Sequence, residues 1–228
     1  MPIKRCLVLK TVLCLTCLVL SSQSLSIRMS STRRNTKSAQ FITNKMCPFA
    51  QKAWISLEAS QTPYVLKEVS LYGSGGKPAW FMKMNPSGTV PVIETQDGNI
   101  YPDSELILDY IQETTTLHLQ GTNIDEGKVQ KWRKNITQKV IPIGKRAVLG
   151  GSKDDLYDLL KELDDEVEGK FLCGETVTVA DCAAFPFLWR IHDEFGLEEG
   201  SKLKNWLELC VETSCFKKTI QSAWWWWW

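Results

Sequence analysis

The feature that most constrains this chain is a cysteine followed at once by proline, at the head of an apolar run with helical spacing: Lys45-Met46-Cys47-Pro48-Phe49-Ala50-Gln51. Proline is tolerated in the first turn of a helix, where its missing N–H has no partner to lose. A helix is therefore predicted from Cys47 to about Ala59, with Ala50, Ala53, Trp54 and Leu57 along one face. A thiol at such a start meets unpaired backbone N–H groups and the positive end of the helix dipole, both of which favour the thiolate. Placement of this kind lowers a cysteine pKa from roughly 8.5 into a range of about 3.5–7.5. This stretch alone supports two readings, a nucleophilic cysteine or a buried structural cysteine that happens to open a helix.

What flanks the cysteine narrows the fold. Ala39-Gln40-Phe41-Ile42-Thr43 reads as a strand ending just before it, and Tyr64 to Val69 alternates as a second strand after Pro63. Gly73-Ser74-Gly75-Gly76 makes a loop, but without the Lys-Ser/Thr ending of a phosphate-binding loop. Lys77-Pro78-Ala79-Trp80-Phe81 opens a short helix with Pro78 in its first turn, and Asn85-Pro86-Ser87-Gly88 is a turn. Thr89 to Thr95 reads as a strand with proline at 91, which calls for an edge position or a special peptide bond. Asp97-Gly98 signals a hairpin into Asn99-Ile100-Tyr101. A helix then begins at Asp103-Ser104, either of which can be its N-cap, with Leu106, Ile107, Tyr110 and Ile111 as its apolar face. Strand, helix, strand, helix, strand, strand, helix, with a thiol at the first strand-to-helix turn, is a thioredoxin-like order over residues 38–113.

From 117 to 222 the pattern is helical. Asp125 to Val148 reads as one long helix broken or bent near Pro142-Ile143-Gly144, and Asp154 to Glu168 turns Leu156, Leu159, Leu160, Leu163 and Val167 inward. Thr178-Val179-Ala180-Asp181 fits a capping box ahead of the apolar helix Cys182 to Ile191, which Pro186 is expected to kink. Leu203 to Val211 and Cys215 to Ile220 are two closing helices. The fold class expected is an α/β thioredoxin-like N-terminal domain plus an all-α C-terminal helical domain. His118 and His192 show no catalytic or metal pattern, Asn135-Ile136-Thr137 is a glycosylation sequon on a helix, and Trp132 suits a substrate pocket and plain packing equally well.

Charge and cysteine usage set the chemical class. Nine of the 27 Lys/Arg and none of the 26 Asp/Glu fall in residues 1–57, so residues 58–228 carry 18 basic against 26 acidic side chains, a net of −8. An acidic folded part argues against nucleic acid as a partner. Of eight cysteines, Cys6, Cys14 and Cys17 lie near the N-terminus, leaving Cys47, Cys173, Cys182, Cys210 and Cys215. Five widely spaced cysteines, with no CxxC pair and no zinc spacing, indicate reduced thiols and no metal site.

Residues 1–37 read as a targeting leader. Lys4-Arg5 precede an apolar run from Cys6 to Leu20, too short for a confident membrane span, and small polar residues Ser21-Ser22-Gln23-Ser24 follow. The next segment, to Lys37, is rich in Ser, Thr and Arg and free of acids. A signal followed by a transit-like segment points to a plastid reached through a two-part leader; a secretory signal with a basic spacer is the alternative. The mature protein is not expected to span a membrane. The Trp224 to Trp228 run at the end, the core of a tail over 223–228, is assigned no function.

From residue 39 to 221 the chain resembles the glutathione transferase superfamily, and within it the cysteine-type classes: omega, lambda and the plant dehydroascorbate reductases. The motifs that carry the likeness are Cys47-Pro48-Phe49-Ala50-Gln51, Lys77-Pro78-Ala79-Trp80-Phe81, Asn85-Pro86-Ser87-Gly88-Thr89-Val90-Pro91-Val92 and Asp103-Ser104. The resemblance implies Cys47 as the catalytic thiol and a glutathione site made of Phe49, Lys77, Val90, Pro91, Asp103 and Ser104. Val90-Pro91 would be a cis-proline step whose backbone pairs with the cysteinyl part of glutathione. Asp103 and Ser104 would hold the γ-glutamyl end, and Lys77 the glycyl carboxylate. Most of the family has Glu where this chain has Asp103. Ala50 stands where dithiol relatives carry a second thiol, which implies a monothiol mechanism with glutathione as co-substrate and no metal. The partners implied are glutathione and a small disulfide, dehydroascorbate or an electrophile, in a monomer or homodimer. A non-catalytic ligand carrier and a chloride-channel-like relative are the alternatives.

Overall fold

The structure is a computed structural model that describes residues 38–70, 76–115 and 124–221. The leader, Gly73 to Gly75, His118 and the terminal Trp run lie outside the described residues.

β1 (Ala39–Thr43) sets the architecture, because its side chains are buried on both faces. Phe41 joins a core with Ile55, Ile93 and Ile107, while its neighbour Ile42 joins a second cluster with Phe81 and Val92. Successive residues of a strand point to opposite sides, so the sheet must be covered twice. α1 (Pro48–Ala59) crosses over to β2 (Tyr64–Glu68), which runs parallel to β1 with Ala39 opposite Tyr64 and Thr43 opposite Glu68. α2 (Ala79–Met84) supplies Phe81 to the second cluster. β3 (Val92–Glu94) pairs antiparallel with β1, and β4 (Ile100–Tyr101) antiparallel with β3, giving the order β2-β1-β3-β4. α3 (Ser104–Thr114) packs against α1.

The proline at 91 takes the second of its two options. β3 lies inside the sheet and the Val90–Pro91 peptide is cis. Pro91 stands ahead of the ladder, which begins at Val92, so its missing N–H costs no sheet bond. Two details differ from expectation. Pro78 is the N-cap of α2 and not part of its first turn, and Leu106, placed on the apolar face of α3, is 46% exposed because Ile107, Leu108 and Ile111 already fill that side.

In the helical half, α4 (Glu126–Asn135) passes through one π-turn, Ile136–Val140, into α5 (Ile141–Val148). The distortion was expected at 142–144 and falls one turn earlier. Proline lacks the donor for the carbonyl four residues upstream and its ring crowds that carbonyl, so Pro142 disturbs the turn before it. α6 (Asp154–Asp165) stops short of Glu168, and Val167 is buried beyond its end. The chain must turn there, since Phe171 and Gly174 exchange backbone hydrogen bonds and Gly169 lies against the Gly174 carbonyl; a Cβ at 169 would sit 2.5 Å from that oxygen.

α7 (Val179–Phe195) runs through the middle of the helical half and contacts α1, α4 and α5; α8 (Lys202–Glu212) and α9 (Ser214–Lys217) close the fold. The capping box at its start is formed as expected. The Asp181 carboxylate accepts from Leu172 N, Thr178 N, Thr178 Oγ1 and Trp206 Nε1, all between 2.8 and 2.9 Å. Burial pushes this carboxyl up, and the four donors oppose that by satisfying its lone pairs. Trp132 is 2% exposed and belongs to the core. Asn135 is buried and bonded to Glu166, so its amide is turned inward, away from any glycosylating enzyme. His192 accepts from Leu197 N through Nδ1, a structural role at the end of α7. No described helix is long and apolar enough to cross a membrane.

Candidate active site

Cys47 is the N-cap of α1, with Pro48 at the first helical position. The loop before it is tied down by Asn44, whose carbonyl accepts from Cys47 N at 3.0 Å and whose side-chain amide donates to Val69 O at 3.0 Å. The Cys47 carbonyl accepts the first helical bond from Gln51 N at 2.9 Å. Across the sheet, the thiol lies 3.9 Å from the Val90 carbonyl oxygen. The cis peptide that follows Val90 is held by the turn before it, in which buried Asn85 donates to Thr89 O at 2.8 Å and Gly88 N donates to Asn85 O at 2.9 Å. Val90 stands outside the ladder that starts at Val92, so its N–H and C=O are not used by the sheet.

The predicted site residues divide by how the structure places them. Cys47 meets the Val90 carbonyl, and Pro91 follows it through the cis peptide. Phe49 stands two residues on, with its ring packed edge-on against Phe187 of α7 at 5.3 Å. Lys77 lies along Gly88, whose positive φ of 65° brings the Lys77 Cδ within 3.2 Å of where a Cβ would be. Asp103 caps α3, accepting from Glu105 N at 2.7 Å, and Ser104 is buried at the first position of that helix. The capping role weighed for Asp103 is therefore real. α3 is bound to α1 through Glu105, which pairs with Lys52 of α1 and with Arg133 of α4, the latter at 2.7 Å. That bond ties the Asp103-Ser104 helix start to the first turns of the helix that carries Cys47.

The electrostatics of Cys47 correct the expectation of a lowered pKa. Part of its surface is accessible, but the packing round the sulfur is dense. Burial pushes the thiol up, against the N–H groups of Ala50 and Phe49, the Arg190 guanidinium and the Lys52 ammonium, all of which pull it down. The net direction is upward: dehydration of the thiolate outweighs the helix start. The other four thiols are raised as well, Cys173 to about 12 and Cys215 to about 11, with burial first in each case. None of the five is in a disulfide. Among the described residues no group of three His, Cys, Asp or Glu side chains could hold a metal.

Two residues beside the cysteine were missed from sequence. Gln51 is 2% exposed; its amide donates to Thr219 Oγ1 at 3.2 Å and its oxygen accepts from Arg190 Nη1 at 2.7 Å. Arg190 is 1% exposed. The helical repeat held the signal, because Ala183, Phe187 and Arg190 share one face and the first two are fully apolar. A cavity of about 700 Å³ opens elsewhere, between α6 and the turn after α7, lined by Tyr157, Lys161, Phe195 and Leu197 among others. It holds none of the predicted site residues.

Comparison with known proteins identifies the family. The family model described as "Glutathione S-transferase, N-terminal domain" matches residues 46–114, and the one described as "Glutathione S-transferase, C-terminal domain" matches 146–209. Glutathione S-transferase DHAR3, chloroplastic, of Arabidopsis thaliana is 30% identical over 163 residues, covering 70% of this chain and 58% of that protein. Glutathione S-transferase omega-1 of Mus musculus is 27% identical over 180 residues, covering 72% of each. Among solved structures, glutathione transferase Omega 3C from Trametes versicolor superposes with a TM-score of 0.71 at 26% identity, over 82% of this chain and 90% of that one. With both domain models matched in order, over more than half its length, the chain belongs to the glutathione S-transferase superfamily, in the cysteine-type branch that holds the omega and DHAR proteins.

Proposed function

We propose that this protein is a glutathione-dependent thiol transferase or reductase that works through one cysteine, Cys47, and a mixed disulfide with glutathione. Family membership supports the transferase or reductase role and glutathione as co-substrate. The observation that carries the residue-level reading is Cys47 at the start of α1, facing the carbonyl before a cis-proline, with buried Ala50 where a second thiol would stand.

In the forward half-reaction the Cys47 thiolate attacks the glutathione sulfur of a glutathionylated thiol. A Cys47–glutathione disulfide forms, the substrate disulfide breaks, and the released thiolate takes a proton from solvent. In the second half a glutathione thiolate attacks that mixed disulfide, giving oxidised glutathione and restoring Cys47. Each turnover on a glutathionylated thiol consumes one added glutathione thiol, the second glutathione of the oxidised product coming from the substrate itself. A glutathionyl-ketone likewise brings one glutathione and takes one more, whereas dehydroascorbate takes its two electrons from two glutathione thiols. Phe49, Lys77, Val90, Pro91, Asp103 and Ser104 are proposed to hold the tripeptide, extended along the Val90 edge with its γ-glutamyl carboxylate at the start of α3. The boundary between a glutathione-binding domain over 38–113 and a helical domain over 117–222, and the plastid leader over 1–37, are part of this reading; the word chloroplastic in a relative's name supports the last.

The test is a comparison of the full chain and Cys47→Ser on dehydroascorbate, a glutathionylated disulfide and an aryl halide. The first two reactions are expected in the parent and lost in the variant. Thiol transfer retained by Cys47→Ser, or strong activity on the aryl halide alone, would overturn the assignment.

A further inference from the structure

Arg190 is a buried charge without an opposing carboxylate. Its Nη1 donates to Gln51 Oε1 at 2.7 Å and to the Pro186 carbonyl at 2.6 Å, both neutral, and its Nε is buried with no hydrogen-bond partner. Among the described residues no Asp or Glu lies within ion-pair distance of it, whereas Arg133, the other buried arginine, holds Glu105 and Asp109. A guanidinium in an apolar interior is costly unless an anion meets it. Through Gln51 it is tied to the first turn of α1, whose Cys47 can become an anion and couples to it electrostatically. Arg190 is fastened to Gln51, the residue whose N–H closes the first helical bond to the Cys47 carbonyl. Phe187, one turn before Arg190, packs on Phe49, two residues after Cys47. One face of α7 thus covers the first turn of α1 and delivers a positive charge to it.

We propose that Arg190 is the counter-charge of the Cys47 thiolate, a positioning residue supplied by the helical half to the nucleophile of the α/β half. This rests on the reading of Cys47 as the reacting thiol. The charged groups around Cys47 leave Arg190 as the deciding one. Lys52, on the same helix, is neutralised by Glu105 from α3, and Glu105 is shared with Arg133. Lys45 in the preceding loop pairs with Glu68 of β2 at the surface, and Asp103 at the head of α3 is turned to its own helix. Among the described residues, the polar group that faces the thiol from the β3 side is the Val90 carbonyl. Burial pulls the Arg190 guanidinium down to about 10, while the Cys47 thiolate raises it, which is the same coupling seen from the other partner.

The experiment is peptide-resolved alkylation of Cys47 by iodoacetamide across pH, in the full chain, for the parent, Arg190→Met and Arg190→Lys. The neutral reagent reads thiolate content without repelling or attracting charge. Arg190→Met is expected to move the midpoint up by about one unit, which is about a tenfold slower reaction below the midpoint. Arg190→Lys is expected to recover most of the shift, which a purely packing role would not do. If Arg190→Met fails to fold, Arg190→Gln, which removes the charge and keeps a donor for Gln51, answers the same question; the midpoint should again rise. An unchanged midpoint in a folded charge-removing variant overturns the proposal. Because alkylation needs no turnover, this outcome is separate from the Cys47→Ser activity test, and either reading can fail alone.

Discussion

Replacing Glu105 by Gln keeps the shape of the side chain and removes one charge from the centre of a three-helix junction. Glu105 of α3 holds Lys52 of α1, which is 2% exposed, and Arg133 of α4, which is 6% exposed. Arg133 keeps a second carboxylate, Asp109, at 2.7 Å, so the variant orphans only Lys52. Breaking a buried ion pair by removing one partner costs about 3–5 kcal/mol, because the remaining charge stays dehydrated. Glu105 itself is 33% exposed, and water reaching it screens the pair, so the lower end, about 3 kcal/mol, is the expected loss. For a domain of this size that corresponds to a fall in melting temperature of about 6–12 °C. Replacing both partners by apolar groups, Lys52→Met with Glu105→Leu, is expected to restore stability to within about 1 kcal/mol of the parent, since no buried charge is then left over.

The effect also carries a pH signature. Burial raises the Glu105 carboxyl, but Lys52 and Arg133 together hold it below its ordinary value of 4.5. A native value depressed below the unfolded one gives stability that is fully present above the unfolded value and is lost as pH falls through the native one. Urea unfolding of the parent and Glu105→Gln should therefore differ by the full amount at pH 7, and the gap should close on acidification below about pH 4. A difference under about 1 kcal/mol at pH 7 would refute the account, as would a gap that persists unchanged into acid.

Two further substitutions test other parts of the site and its support. Gly88→Ala places a Cβ at a φ of 65° and 3.2 Å from both the Lys77 Cδ and the Met82 Sδ; it is expected to cost about 1–2 kcal/mol and to weaken retention on immobilised glutathione by displacing Lys77, whereas unchanged retention would remove Lys77 from the glutathione site. Asp181→Ala strips the acceptor from Leu172 N, Thr178 N, Thr178 Oγ1 and Trp206 Nε1 at once; at about 1–3 kcal/mol for each buried donor left unpaired, a loss of at least about 3 kcal/mol in chemical denaturation is expected, and less than about 1 would mean that other groups satisfy those donors.

What could be read from sequence was what short stretches dictate. Cys47-Pro48 states a helix start in two residues, Thr178 and Asp181 state a capping box in four, and a proline at 91 inside a strand pattern demands either an edge or a cis peptide. Each of these signals is local, and each is realised. The charges round the site were not legible in the same way. Lys52 and Glu105 are 53 residues apart, Glu105 and Arg133 28, and each by itself reads as an ordinary surface charge on an amphipathic helix. Only the packing of α1 against α3, and the ion pair from α3 to Arg133 of α4, brings them together. Arg190 was open to detection, because a charge on the Ala183–Phe187 face of an apolar helix must be buried once that face is. Its partner Gln51, 139 residues away, was not. The π-turn was displaced from its cause for a similar reason: the perturbing residue is Pro142, but the carbonyl it fails to satisfy lies a turn before it.

The balance at Cys47 follows from how burial and charge scale together. The same low dielectric that penalises the thiolate strengthens its attraction to any nearby cation, so a buried thiol depends on whether its cations are themselves compensated. Lys52 is neutralised by Glu105; Arg190 is not neutralised by any described carboxylate. Removing the Glu105 charge therefore does two opposite things. It destabilises the fold, and it strengthens the pull of the Lys52 ammonium on Cys47, which Glu105 partly offsets in the parent. In Glu105→Gln the midpoint for Cys47 alkylation is expected to fall, while in Arg190→Met it rises. A general loosening of the site would admit water to the sulfur in both variants and move both midpoints in the same direction. Opposite signs are what separate charge from packing, and midpoints that move together would show that the field at Cys47 is not set by these two cations.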